Sequence, residues 1–112
     1  MGGVDIAGPG GFRVEGVGVA SSPLDRLRGQ IGRPPAPLLI PADSVHGFHL
    51  TVDLVVVALD RTGAVVAVRR LRPWRVIRVP QAHWMLELPP HHPLPGVGDR
   101  LQLLARSGES GS

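Results

Sequence analysis

The sequence predicts an all-β domain, a compact sandwich or barrel of short, mostly antiparallel strands. Short apolar runs rich in β-branched residues alternate with turn signals about every 8–12 residues, a pattern typical of such domains. Glycine and proline number 15 and 12 of 112 residues, which favours turns over long helices. With 43% hydrophobic and 19% charged residues, the chain is expected to fold as one domain around one core.

The predicted core is a β-hairpin within residues 50–74. Residues 54–59 and 64–68 form two valine-rich apolar runs, and the polar segment 60–63 separates them. This segment predicts a type I turn with Gly63 in the left-handed conformation, which glycine reaches without a Cβ clash. Because the first run lacks polar alternation, we expect a strand that is covered on both faces.

The remaining elements are shorter. The glycine-rich residues 1–11 are expected to form a flexible lead-in, and residues 12–20 a strand with a bulge near Gly16, where the apolar alternation changes phase. Ser22-Pro23-Leu24-Asp25 has the cap, proline and acidic residue of a helix start, so one short helix is predicted at about residues 23–31. Residues 38–40 form a short apolar segment, and further strands are expected over residues 45–52, 74–79, 83–88 and 100–105. The predicted domain is therefore 12–106, followed by a disordered tail, 107–112.

Composition excludes some classes of protein. The chain has no cysteine, so disulfides and cysteine metal sites are excluded. All 12 basic residues are arginine, which matches the codon usage of a GC-rich genome, and the net charge is only +3. The N-terminus lacks the basic and apolar regions of a signal peptide, and no apolar run approaches the ~20 residues of a membrane-spanning helix. The expected location is cytoplasmic, without a membrane partner.

Three segments match one family pattern in order. The first comprises Ala20-Ser21, Arg26, Arg28-Gly29 and Gly32-Arg33; the second residues 44–48, 59–60, 63–66 and 71–74; the third residues 86–89 and 97–101. With these motifs, across roughly residues 14–104, the chain resembles the DUF192 family, an uncharacterised conserved bacterial domain. The resemblance implies a compact all-β domain with a small helical insertion, and a biochemical function that is not established for the family.

The chain departs from the family where the resemblance implies a polar site. Family members place Met followed by Lys or Arg in the core block, and Asp before the apolar strand. Those positions are here Leu50, Thr51 and Val55. Asp53 lies two residues early, which keeps it on the same strand face because side chains repeat every second residue. Residues 88–98 are also shorter than the family's loop and rich in proline and histidine.

Arg72-Pro73-Trp74 with Glu87 is the preferred candidate site. Proline fixes the backbone, the indole offers a flat apolar wall, and the guanidinium group is a bidentate donor, a combination that suits a small anionic ligand. The alternative is that Trp74 belongs to the core while Arg72 pairs with Glu87 or Asp99. The full candidate binding set is His46, Thr51, Asp53, Arg72, Trp74 and Glu87.

Other chemistries stay open as alternatives. His46 and His49 form H-x-x-H, which places the rings on opposite faces of a strand, although His91, His92 or Glu87 could join them around a metal ion. No recognised ligand spacing is present, so we predict neither a metal site nor a cofactor.

Nucleic-acid or polyanion binding is the main alternative function. Five arginines surround Trp74 in the sequence: Arg69, Arg70, Arg72, Arg75 and Arg78. Arginines beside an aromatic ring bind phosphates and stack bases, but strand alternation spreads them over two faces and the net charge is modest.

Catalysis is not predicted, since the sequence has no G-x-S-x-G, Walker loop or paired carboxylates at a useful spacing; a metal-binding or hydrolytic protein is the weaker alternative. The predicted function is a non-catalytic small-ligand or interaction module. Exposed edge strands also favour a homodimer.

Overall fold

The structure is a computed structural model, and it describes residues 3–20, 36–48 and 50–105. Within these residues the fold is all-β, as predicted, with a single 3-10 turn at Pro9–Gly11. No described helix is long and apolar enough to span a membrane. The strands are β1 (Val4–Ala7), β2 (Arg13–Val19), β3 (Leu38–Ile40), β4 (Ser44–His46), β5 (Leu54–Leu59), β6 (Val65–Leu71), β7 (Val76–Arg78), β8 (Trp84–Leu88) and β9 (Gln102–Ala105).

Seven strands form one curled mixed sheet in the order β6-β5-β8-β3-β2-β1-β9, and β4 pairs with β7 in a separate two-stranded sheet, here called the ribbon. Among the described strands, only β2 and β3 run parallel, and the other pairs are antiparallel. A bridge between Ala64 and Arg100 joins the start of β6 to the segment before β9, so the two edges of the curled sheet meet at one end. The sheet is therefore a half-barrel.

The sheet is covered on both faces, as the apolar run of β5 predicts. All six residues of β5 are buried. One face contributes an apolar cluster that includes Ile6, Leu39 and Leu86. The opposite face contributes a second cluster around Leu54 and Met85, which the ribbon covers. Because each fully buried aliphatic side chain contributes roughly 1.5–3 kcal/mol, these two clusters hold the fold together.

Two local predictions are confirmed. The chain reverses between β5 and β6 with a hydrogen bond from the Gly63 N–H to the Asp60 carbonyl oxygen (3.1 Å), and Gly63 has a φ of 87°. In β2, Gly16 has a φ of 67° at a bulge, where the pairing with β1 shifts by one residue. Both glycines adopt the left-handed conformation that disfavours other residues.

Two expectations have to be corrected. Residues 1–11 do not all form a flexible lead-in, because Val4–Ala7 is a sheet strand between β2 and β9, and Ile6 is fully buried. The glycines on either side hide this short apolar–polar alternation. The strand expected over 45–52 ends at His46, since the chain turns after Gly47. The predicted helix at about 23–31 and the tail 107–112 lie outside the described residues.

Candidate functional site

The outward face of the ribbon carries exposed apolar side chains, including that of Trp74, the most exposed large hydrophobic residue of the described chain. In the register of β4 and β7, Ser44 pairs with Arg78, Val45 with Ile77, and His46 with Val76. Val45 is buried against the sheet, whereas Val76 is 61% exposed, because alternate residues of a strand point to opposite faces.

The ladder continues beyond the two strands. The Gly47 N–H donates to the Arg75 carbonyl oxygen, and the Trp74 N–H donates to the Gly47 carbonyl oxygen, both at 2.8 Å. This pairing sets Phe48 beside Trp74. We call the resulting outward surface the ribbon face; its residues are Ser44, His46, Phe48, Trp74, Val76 and Arg78.

Three aromatic rings are stacked along the ribbon face. The His46 and Phe48 ring centroids are 4.5 Å apart with planes inclined by 23°, and those of Phe48 and Trp74 are 6.0 Å apart at 25°. Phe48 is 47% exposed and Trp74 is 73% exposed. One face of the indole turns towards Phe48, and the exposure of Trp74 indicates that the opposite face is largely open to solvent. The three rings thus form a platform in which His46 and Phe48 lie behind the indole of Trp74, and the exposed indole is at its end.

Trp74 is held in an unusual backbone conformation. Its φ is 66°, which makes it the one non-glycine residue with positive φ in the described chain. The Arg75 N–H donates to the Arg72 carbonyl oxygen (3.2 Å), so residues 72–75 form a β-turn with Pro73 at its second position. Positive φ at the third position is the pattern of a type II turn, where glycine is the usual residue. A bulky residue there costs about 1–2 kcal/mol.

Gly47 supports this turn from the other strand. A Cβ atom at position 47 would lie 2.6 Å from the Arg72 carbonyl oxygen, closer than side-chain carbons come to other atoms. Glycine therefore permits the close approach of the two chain segments. This approach also allows the hydrogen bond that the Trp74 N–H makes, which helps to hold the turn in its strained conformation.

The arginines next to the platform are available to a ligand. Arg72, Arg75 and Arg78 are exposed, and none of them forms an ion pair with a described residue. Other arginines differ. Arg13 lies 3.4 Å from the Asp5 carboxylate and 2.9 Å from that of Glu15, and Arg70 lies 3.6 Å from Asp53. Exposed ion pairs of this kind are weak, but they show that acidic partners accompany arginine elsewhere on the surface.

The predicted site residues do not all converge. His46, Arg72 and Trp74 belong to the ribbon and its turn, and Trp74 is not a core residue. Glu87 is fully buried in β8, between Val56 of β5 and Leu38 of β3. It is therefore not part of the exposed surface around Trp74.

Thr51 and Asp53 do not belong to the ribbon face. Thr51 is exposed in the bend before β5. Asp53 is half-buried, and its carboxylate lies next to Arg70 on β6. Since Leu54 pairs with Leu71, Asp53 and Arg72 occupy neighbouring positions on adjacent strands, but the ion pair of Asp53 is with Arg70.

The histidines of the loop that follows β8 do not extend the ribbon face. The His92 and Phe12 rings meet edge-on, with their centroids 6.1 Å apart, and the His92 Nδ1 lies 2.8 Å from the Pro93 carbonyl oxygen. Among the described residues, no three histidine, aspartate or glutamate side chains are grouped to hold a metal ion. His49, the second histidine of H-x-x-H, lies outside the described residues.

A separate open cavity of about 260 Å³ lies near the bridge that joins the sheet edges. It is lined by Ala7, Gly8, Pro9, Arg100 and Gln102. Its lining contains one guanidinium group and no aromatic ring, so it offers a planar ligand nothing to stack on.

Sequence reasoning missed the contribution of Phe48 and Val76 to the surface. The signal was present, since Ser44, His46 and Phe48 alternate in one segment while Trp74, Val76 and Arg78 alternate in another. What the alternation does not reveal is that the two segments pair with each other. Comparison with known proteins found no matching family model, curated protein or solved structure. The resemblance to DUF192 therefore stays a prediction.

Proposed function

We propose that the protein is a non-catalytic binding module, and that the ribbon face is its binding surface. The observation that carries the proposal is the conformation of Trp74. Its backbone is strained, yet the residue is 73% exposed, so burial in the core does not explain why a tryptophan occupies this turn position. Strained positions of this kind cluster at functional sites, where the required side-chain placement outweighs the cost.

The chemistry of the surface favours a small, planar, negatively charged ligand. The open indole face would stack on a planar group, and Phe48 and His46 support the indole from behind. Arg72 and Arg75 flank Trp74 in the turn and donate hydrogen bonds to anionic oxygens. Arg72, Arg75 and Arg78 are exposed and form no ion pair with a described carboxylate, so their charges favour an anionic ligand.

Tryptophan fluorescence tests the proposal. In a Trp84→Phe background, Trp74 is the only tryptophan and reports directly on stacking. Adenosine 5′-monophosphate serves as a planar anion, adenosine as its uncharged counterpart, and inorganic phosphate as the anion without a ring. We expect saturable quenching by the monophosphate, weaker quenching by adenosine, and none by phosphate.

Two variants connect the signal to the surface. Trp74→Ala should weaken binding of the monophosphate, measured by calorimetry, about fivefold or more, since stacking on an aromatic side chain contributes roughly 1–3 kcal/mol. Arg72→Gln should weaken binding of the monophosphate but not of adenosine. Failure of the monophosphate to bind at concentrations up to about 10 mM would contradict the proposed ligand class, and unchanged affinity in Trp74→Ala would contradict the proposed surface.

A further inference from the structure

The ribbon face is longer than a single stacked ring requires. From Phe48 to Ser44 on β4, and from Trp74 to Arg78 on β7, the face spans four residue steps, or about 13 Å at the rise of a β-strand. The aromatic pair occupies one end, His46 and Val76 the middle, and Ser44 and Arg78 the other end. A ligand the size of one nucleotide stacked on Trp74 would not reach Arg78.

The charges are arranged for an extended polyanion. Arg72 and Arg75 lie at the aromatic end and Arg78 at the far end, and none is paired with a described carboxylate. Between them lies Val76, which is 61% exposed and presents apolar surface. Anchors for anionic groups at both ends of a stacking surface match a chain that alternates phosphates with planar bases.

We infer that the ribbon face binds single-stranded nucleic acid over two to three nucleotides, an inference that rests on the proposed binding function. One base stacks on the open face of Trp74, the neighbouring nucleotide contacts the apolar surface of Val76, and the phosphates lie near the three arginines. Small β-domains that recognise single strands stack two or three bases on exposed aromatic residues in this manner.

Single strands fit better than the other polyanionic partners. A duplex keeps its base faces stacked inside the helix, so it offers nothing to the open indole. An anionic membrane binds through inserted apolar area and charge, and it offers no planar group to stack on the indole. Stacking also tolerates any base, because every base has a π-face.

A length series tests the inference. Binding of 5′-fluorescein-labelled oligodeoxyadenylates of two, four and eight nucleotides is measured by anisotropy at low salt, and compared with the affinity for adenosine monophosphate. We expect affinity to rise up to about three nucleotides and then to increase only with the number of overlapping sites. Trp74→Ala should weaken binding of the octamer at least tenfold.

Arg78→Gln distinguishes the polymer from the mononucleotide. This variant should weaken octamer binding about fivefold and lower the salt slope by roughly 0.7. It should weaken binding of adenosine monophosphate less than binding of the octamer, because Arg78 lies four residue steps from the aromatic end. Arg61→Gln is the matched control, since Arg61 is also exposed but lies in the turn at the opposite end of β6. It should bind the octamer as the wild type does.

The possible failures are distinguishable. If the octamer binds no tighter than adenosine monophosphate, and Arg78→Gln has no effect, the nucleic-acid inference is overturned while the proposed small-ligand function stands. Equal binding of a duplex with no effect of Trp74→Ala also overturns it, as does binding to phosphatidylserine vesicles without binding to the octamer. If neither nucleotide nor octamer binds, both proposals fall.

Discussion

Replacement of Trp74 by glycine and by alanine isolates the cost of its backbone conformation. Both variants lose the indole and its contact with Phe48, so these losses cancel when the two are compared. Alanine at a φ of 66° retains a left-handed strain of about 1–2 kcal/mol. Glycine avoids that strain but gains freedom in the unfolded chain, which costs about 0.4–1 kcal/mol. Trp74→Gly should therefore be more stable than Trp74→Ala by close to 1 kcal/mol.

Urea denaturation followed by far-UV circular dichroism measures this difference. With an m-value of about 2 kcal/mol/M, the glycine variant should unfold at a urea concentration about 0.5 M higher than the alanine variant. The control is the same pair at Arg75, the next residue, which is exposed and has no positive φ. There glycine should be less stable than alanine by roughly 0.5–1 kcal/mol. The same ranking at both positions would refute the argument that Trp74 is strained.

Two further predictions concern the turn between β5 and β6. Gly63→Ala should destabilise the fold by about 2 kcal/mol or more in urea denaturation. The reason is that Gly63 has a φ of 87° and that a Cβ atom there would lie 2.5 Å from the Leu101 carbonyl oxygen. The control is Gly10→Ala, which should cost only about 1 kcal/mol, because Gly10 has a φ of 69° but open space around it. The pKa of Asp60 lies below its ordinary value of 3.8, mainly because the carboxylate accepts a hydrogen bond from the Thr62 hydroxyl. The ionised carboxylate therefore stabilises the fold at pH values above 3.8, and this stabilisation is lost as the pH falls through the pKa that Asp60 has in the folded protein. Asp60→Asn should lack this acid-dependent loss when urea midpoints are compared across that range, and parallel pH profiles for the two proteins would contradict the assignment.

Local sequence signals predicted the features of the fold that depend on local chemistry. One continuous stretch contains the apolar run of β5, the polar segment 60–63 and Gly63. Both the burial of the strand and the geometry of the turn could therefore be predicted from that stretch alone. The same holds for Gly16, where a change of phase in the apolar alternation marked the bulge. The short strand β1 escaped prediction because only Val4 and Ile6 mark its alternation among flanking glycines.

The candidate surface was predictable only in part. Arg72 and Trp74 stood out as an unusual turn, but the sequence left open whether the indole was buried. Glu87 alternates with apolar residues as a solvent-facing residue of an edge strand would, and the sequence does not show that β8 lies between β5 and β3 with both faces covered. Burial of a side chain depends on every element that packs over it, and no local pattern contains that information.

The sequence by itself determined that this chain is an all-β domain with a buried hairpin and an arginine-rich segment around Trp74. The tertiary structure decided that β4 and β7, separated by the whole hairpin, pair with each other and bring Phe48 beside Trp74. The physical reason is that period-two alternation fixes which side chains share a face of a strand, whereas the partner of the strand is set by how all the apolar faces are covered together. Only that packing turns two alternating segments into one exposed aromatic surface.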